Sequence, residues 1–258
     1  MFKRTIQLLL VGWLAAAQLW AANDPFVGDW KLNPSRSKLT DEMKVESLGA
    51  NKYAFDFGGG SETVVIDGTD QPGVFGTTLS VAAEGPESWK IIRKKDGRML
   101  LTANWKLSKD GNTLTDNFTG MNPNGSTYNV NYVYQRMAPG SGFAATWIST
   151  NETVNSVFVL QVRPYDGDGL SFVDPSREQT KNVKFDGKDY PTLGPNAPRG
   201  SVSSLRRVNE RALEMTDKIN GKVLDTRQIE LSSDVKTLTM TVHIVGRSEP
   251  NILVFDRQ

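Results

Sequence analysis

The chain has no cysteine, and among its 258 residues it has a single histidine, His243. Without thiols there is no cysteine nucleophile, no thiolate metal site and no redox pair. With one imidazole, a Ser-His-Asp triad or a histidine-rich zinc site has too little to work with. Charge of one sign is also missing. Thirty Lys and Arg against 29 Asp and Glu leave +1, which excludes the dense basic footprint that nucleic acid or an anionic membrane demands. No apolar run reaches the roughly 20 residues that span a bilayer.

What is present is globular. Hydrophobic residues make up 38 % and charged residues 23 %, enough apolar mass for real cores. The first residues have the parts of an export signal: Lys3 and Arg4, an apolar run from Ile6 to Ala17, then Ala21 and Ala22. Residues 1–21 are therefore expected to be a signal peptide, giving an exported protein, periplasmic or extracellular. Without those residues the balance is −1. An exported chain without cysteine has to be held by packing alone.

The remainder reads as one unit written twice. At a shift of 124, Gly97–Thr115 lies over Gly221–Thr239 with nine of nineteen positions identical, Leu107, Ser108, Asp110 and Thr113–Thr115 among them. About one match is expected by chance. Ile66–Pro72 matches Phe185–Pro191, and Phe26–Trp30 matches Phe143–Trp147, at similar shifts. The boundaries implied are 26–137 for copy one, a linker at 138–142, and 143–258 for copy two.

Each copy has the pattern of an antiparallel β meander. Leu238, Met240, Val242 and Ile244 alternate with polar residues, as do Met99, Leu101, Ala103, Trp105 and Leu107. Asp-Gly and Asn-Gly pairs punctuate the runs and accept the positive φ of tight hairpins. About nine strands per copy are expected, with one helical turn near Leu39–Met43. The fold class is all-β: two tandem antiparallel up-and-down barrels, or two β-sandwiches.

Both copies open on an aromatic residue followed by Trp (Phe26-Val27-Gly28-Asp29-Trp30, Phe143-Ala144-Ala145-Thr146-Trp147). Both close on an aromatic residue followed by Arg (Tyr134-Gln135-Arg136, Phe255-Asp256-Arg257). This resembles the calycin superfamily of lipocalins and fatty-acid-binding proteins, single barrels that open on G-x-W. It is also similar to uncharacterised exported bacterial proteins that open F-x-G-x-W-K-L-N. The resemblance implies that Arg136 packs over Trp30 and Arg257 over Trp147 to close each barrel. It further implies a small apolar or amphipathic molecule held inside one or both barrels. Copy two has Ala145 in place of the Gly. The Arg-x-Tyr carboxylate clamp of fatty-acid-binding proteins is missing from Asn129–Tyr132 and Asn251–Val254.

No catalytic, metal or cofactor site emerges from the residues. His243 falls on the polar face of its strand, Asp166-Gly167-Asp168-Gly169 reads as a hairpin turn, and Lys90, Arg93, Lys94, Lys95 and Arg98 read as a solvated edge. One clue is sharper. The register places Asp225 and Arg227 of copy two where copy one has Leu101 and Ala103, and Asp116 of copy one where copy two has Met240. Buried charges need partners, water or a ligand. Arg227, Asp225, Asp116 and Trp105 are therefore the candidate ligand contacts, with copy two expected to hold the wetter interior. An internal Asp–Arg pair or a reversed strand face would also account for the charges. The competing function is a structural or protein-interaction module with solid barrels, its partner unspecified.

Overall fold

The computed structural model describes residues 24–58, 60–138, 140–155, 158–195 and 197–258; the expected signal peptide, residues 1–21, lies outside them. The chain is all-β and antiparallel, forming one closed ten-stranded barrel and one that is nearly closed. Copy one contributes β1 (Gly28–Leu32), β2 (Glu42–Gly49), β3 (Lys52–Asp56), β4 (Ser61–Val65), β5 (Gln71–Pro72), β6 (Thr78–Gly85), β7 (Ser88–Lys95), β8 (Arg98–Leu107), β9 (Thr113–Met121) and β10 (Thr127–Arg136). Copy two contributes β11 (Ala145–Asn155), β12 (Val159–Tyr165), β13 (Gly169–Asp174), β14 (Gln179–Lys184), β15 (Tyr190–Leu193), β16 (Ser201–Asn209), β17 (Ala212–Ile219), β18 (Lys222–Leu231), β19 (Thr237–Ile244) and β20 (Asn251–Arg257). Among the described residues no helix is long and apolar enough to cross a membrane. The expected helical turn falls at Pro34–Arg36 instead, and Leu39–Met43 leads into β2.

The long match between the copies falls on equivalent strands, β8–β9 and β18–β19. Its conserved letters are turn chemistry. Ser108 N–H bonds Thr113 O, the Ser108 hydroxyl accepts from Thr113 N–H, and Asp110 accepts from the Ser108 hydroxyl. Ser232, Asp234 and Thr237 make the same three bonds. Local side-chain bonds of this kind define a turn without long-range help.

The copies exchange their first strands. The closed barrel runs β1-β12-β13-β14-β15-β16-β17-β18-β19-β20, and the other sheet runs β4-β3-β2-β11-β10-β9-β8-β7-β6-β5. Among the described residues the compact units are accordingly 34–155 with 242–252, and 24–33 with 158–241 and 253–258. This corrects the boundaries 26–137 and 143–258. The expected linker, 138–142, of which residue 139 lies outside the described residues, falls between paired strands: β10 folds directly back on β11, with Arg136 opposite Trp147. So short a connection returns the chain antiparallel to the strand it has just left. That adds β11 to the strands of copy one, where it also pairs with β2. In the closed barrel β1 takes the corresponding place, between β12 and β20, with Trp30 opposite Arg257.

The Trp–Arg closure is therefore present but crossed. Arg136 lies 4.5 Å over Trp147 and Arg257 lies 4.4 Å over Trp30, opposite to the pairing Trp30–Arg136 and Trp147–Arg257. The two corners match bond for bond. Each indole N–H bonds the carbonyl four residues back, Phe26 or Phe143, at 2.9 Å. Arg136 donates to the carbonyls of Gly111, Ala144 and Gly142, and Arg257 to those of Val235, Val27 and Pro25.

The nearly closed barrel leaves a seam between β4 and β5. No backbone ladder joins them, and the Gln71 amide stands in: it donates to Val65 O and accepts from Val65 N–H, both at 2.8 Å. Its core is aromatic. Trp89 stacks on Phe143 with ring centres 3.9 Å apart and on Trp105 at 6.3 Å, beside Phe55.

Candidate functional site

Inside the nearly closed barrel is a cavity of about 310 Å³, at the lower end of the range for small-molecule pockets. Its wall is mostly apolar: Met43, Leu79, Ile91, Leu101, Ala103, Trp105 and Phe118 come from alternate positions of β2 and β6–β9. Alternation aims these side chains inward. The most exposed of the lining residues are Gly60 and Phe75.

Phe75 sits in a short turn, Val74–Gly76, with φ 58° and ψ 28°. A bulky residue is rarely left-handed, and the turn is held from both sides. Glu62 accepts from Val74 N–H at 2.9 Å and pairs with Arg93, which also donates to the Thr77 hydroxyl at 2.8 Å. A Cβ on Gly73 would lie 2.6 Å from the Glu62 carboxylate, so only glycine lets the turn approach it. Arg93 therefore faces the interior, on the Ile91 side of β7, and is not part of a solvated edge.

The polar groups gather on the opposite wall. Asp41 accepts from the Tyr134 hydroxyl at 2.6 Å and pairs with Arg247 at 2.6 Å. The same guanidinium donates to Phe57 O at 2.7 Å, while its Nε finds no acceptor. Arg247 lies over Gly58, where a Cβ would come within 3.1 Å of that Nε. Burial pushes the Asp41 carboxyl up, against the pull of Arg247 and Tyr134, and pushes the Tyr134 and Tyr132 hydroxyls up as well. Glu152, opposite Tyr132 on β11, is pushed up to about 7 by burial and by Asp41.

Asp116 is the unsettled group. It is 6 % exposed, lies opposite both Trp105 and Tyr132 in the sheet, and lines the cavity. It bonds Trp105, while its Oδ1 has no partner. Burial, aided by the Asp41 charge, raises it from 3.8 to about 7.

Of the four candidate ligand contacts, the cavity brings together Asp116 and Trp105. Arg227 and Asp225 lie in the closed barrel, where the face assignment holds, since both are largely buried. They are answered there by protein groups. Arg227 pairs with Asp217 at 2.5 Å and Asp225 at 2.8 Å, Lys181 pairs with Asp217, and the Ser203 hydroxyl bonds Asp217. Burial lowers Lys181 to about 8, with Arg227 adding to the effect. The described cavity thus lies among copy-one strands, not in copy two as the charge substitutions suggested.

Trp30, Arg136, Trp147 and Arg257 form the two closing corners. Asp166 and Asp168 flank a hairpin turn and share Lys184. His243 is exposed. Asp41, Glu62 and Arg247 were not singled out from the sequence, and Tyr134 only as the aromatic residue of the closing motif. The Ile91/Arg93 alternation was the one available signal that Arg93 turns inward. The chain matches no family model, no curated protein and no solved structure.

Proposed function

We propose that this is an exported, non-catalytic binding protein that holds a small, mainly apolar molecule in the interior of the nearly closed barrel. The observation that carries the reading is the unpartnered Asp116 Oδ1 in an apolar-walled cavity. Buried polar atoms without partners cost about 1–3 kcal/mol each and are few in native proteins. A bound molecule with one polar group relieves that cost while burying its apolar body. The Trp–Arg corners and the barrel architecture support the calycin reading in the same direction. In the closed barrel the inward charges answer one another, which supports a solid interior there.

The test is uptake of N-phenyl-1-naphthylamine, whose emission rises in apolar surroundings. The protein is expected to enhance it saturably, and Ala103→Phe, which fills the cavity, to weaken uptake by about tenfold or more. Copy two carries Arg227 at the equivalent position, so a bulky side chain suits that strand. Undiminished uptake by a folded Ala103→Phe protein would place the probe elsewhere and end the proposal.

A further inference from the structure

Around the cavity, each cation already has an acid. Arg93 is paired with Glu62, and Arg247 with Asp41. The acids outnumber them. Among the described residues Asp116 has the neutral Trp105 as hydrogen-bond partner, and Glu152, beyond Tyr132 on the next strand, has that neutral hydroxyl. The groups that face Asp116 are Trp105 from β8, Tyr132 and Tyr134 from β10, and Asp41 from the segment before β2. None of these is a cation; Arg247 also lines the cavity and its charge acts on Glu152, but its ion pair is with Asp41. The polar end of the cavity therefore has an acid that lacks a positive charge, and that acid's free oxygen can only accept a hydrogen bond once ionised.

From this arrangement we infer that the cavity selects apolar amines, binding the ammonium N–H against Asp116 Oδ1 and the hydrocarbon against Leu101, Ala103 and Phe118. The inference rests on the binding reading above and adds the ligand's chemical class. An ammonium supplies both the missing donor and the missing charge, and an opposite charge within a few ångströms in a desolvated site is worth far more than in water. An alkyl carboxylate adds a second negative charge to the wall that already has one too many. An alkyl alcohol supplies a donor without charge and falls between them. Arg247 Nε also lacks a partner, but its guanidinium charge is answered by Asp41, so a carboxylate would compete with Asp41 for it.

Binding of the amine is then linked to a proton. Asp116, at about 7 when the cavity is empty of ligand, is drawn down by an adjacent ammonium. The amine, with an ammonium like that of Lys near 10.4, stays charged throughout. The complex therefore releases a proton from Asp116 below about pH 7. Affinity for the amine is highest above that pH and falls toward tenfold per unit below it.

The experiment measures displacement of N-phenyl-1-naphthylamine by octylamine, octan-1-ol and octanoate from pH 5 to pH 8. Expected at pH 8 is octylamine ahead of octanol and ahead of octanoate by about tenfold or more. Octylamine affinity should fall by roughly two orders of magnitude toward pH 5, while octanol stays level. Asp116→Asn should bring octylamine within about twofold of octanol and remove its pH slope. Uptake of the naphthylamine by that variant reports that the barrel is intact. Glu152→Gln should keep the slope, since Glu152 stands behind Tyr132. If octanoate ranks first, or all three octyl compounds bind alike while the naphthylamine binds, the amine inference falls and the binding reading survives. If neither the naphthylamine nor any octyl compound binds, both fall.

Discussion

The guanidinium of Arg136, on the last strand of copy one, lies over the indole of Trp147, on the first strand of copy two. A charge over an indole is worth about 0.5–2 kcal/mol, so the pair should be visible in stability. In a double-mutant cycle, Arg136→Met combined with Trp147→Phe is expected to show a coupling of about 1 kcal/mol in urea denaturation. Arg136→Met combined with Trp30→Phe should be additive. The reverse result would mean that the first strands are not exchanged.

Asp116 gives the fold a pH dependence of definite sign. Its carboxyl is raised from 3.8 to about 7 in the folded chain, so folding favours the protonated form. That contribution is complete below about pH 4 and is lost as pH rises through about 7, by roughly 4 kcal/mol at most. Glu152 is raised into the same window. Asp116→Asn is therefore expected to reduce the fall in unfolding free energy between pH 5 and pH 8, leaving the part due to Glu152, and to exceed the unsubstituted protein in stability at pH 8. A variant less stable at pH 8 would show that the ionised carboxylate contributes to the fold.

Legibility followed the range of the interactions. The Ser108/Asp110/Thr113 turn was readable because its bonds close within five residues, and the β8 and β19 alternation because a strand buries every second side chain. The strand exchange was not, because both copies present the same corner: Trp30 and Trp147 can each be covered by either arginine, and the choice is made by the direct return of β10 on β11. The cavity's polar wall was half legible. Asp116 stood out against Met240 in the other copy, whereas Asp41 and Arg247 are 206 positions apart with no pattern to link them. Arg93 was hidden in a basic run, its partner Glu62 lying three strand connections earlier, on β4.

Asp225 and Arg227 were legible as inward-facing charges but not as a closed set, since Asp217 and Lys181 come from β17 and β14. Arg227→Leu leaves Asp225 without its cation and should destabilise the fold by about 3 kcal/mol, in the range for breaking a buried pair. Adding Asp225→Leu, the residue copy one carries there, should recover most of that loss, since Lys181 still answers Asp217. Thermal or urea denaturation of the single and double variants decides it. A double variant no better than the single one would assign Asp225 a role apart from Arg227.

The two corners also say something about connectivity. Arg136 stands opposite Trp147 and Met137 N–H bonds Thr146 O; Arg257 stands opposite Trp30 and Gln258 N–H bonds Asp29 O, each backbone bond at 2.9 Å. The β20–β1 pair is thus the β10–β11 hairpin without its turn. A few residues joining 258 to 24 would turn the path into a ring of two equal halves, in which neither copy is first. Opening that ring at 138–142 would give a chain whose hairpin joins β20 to β1 and whose unjoined pair is β10 with β11, with every strand neighbour retained.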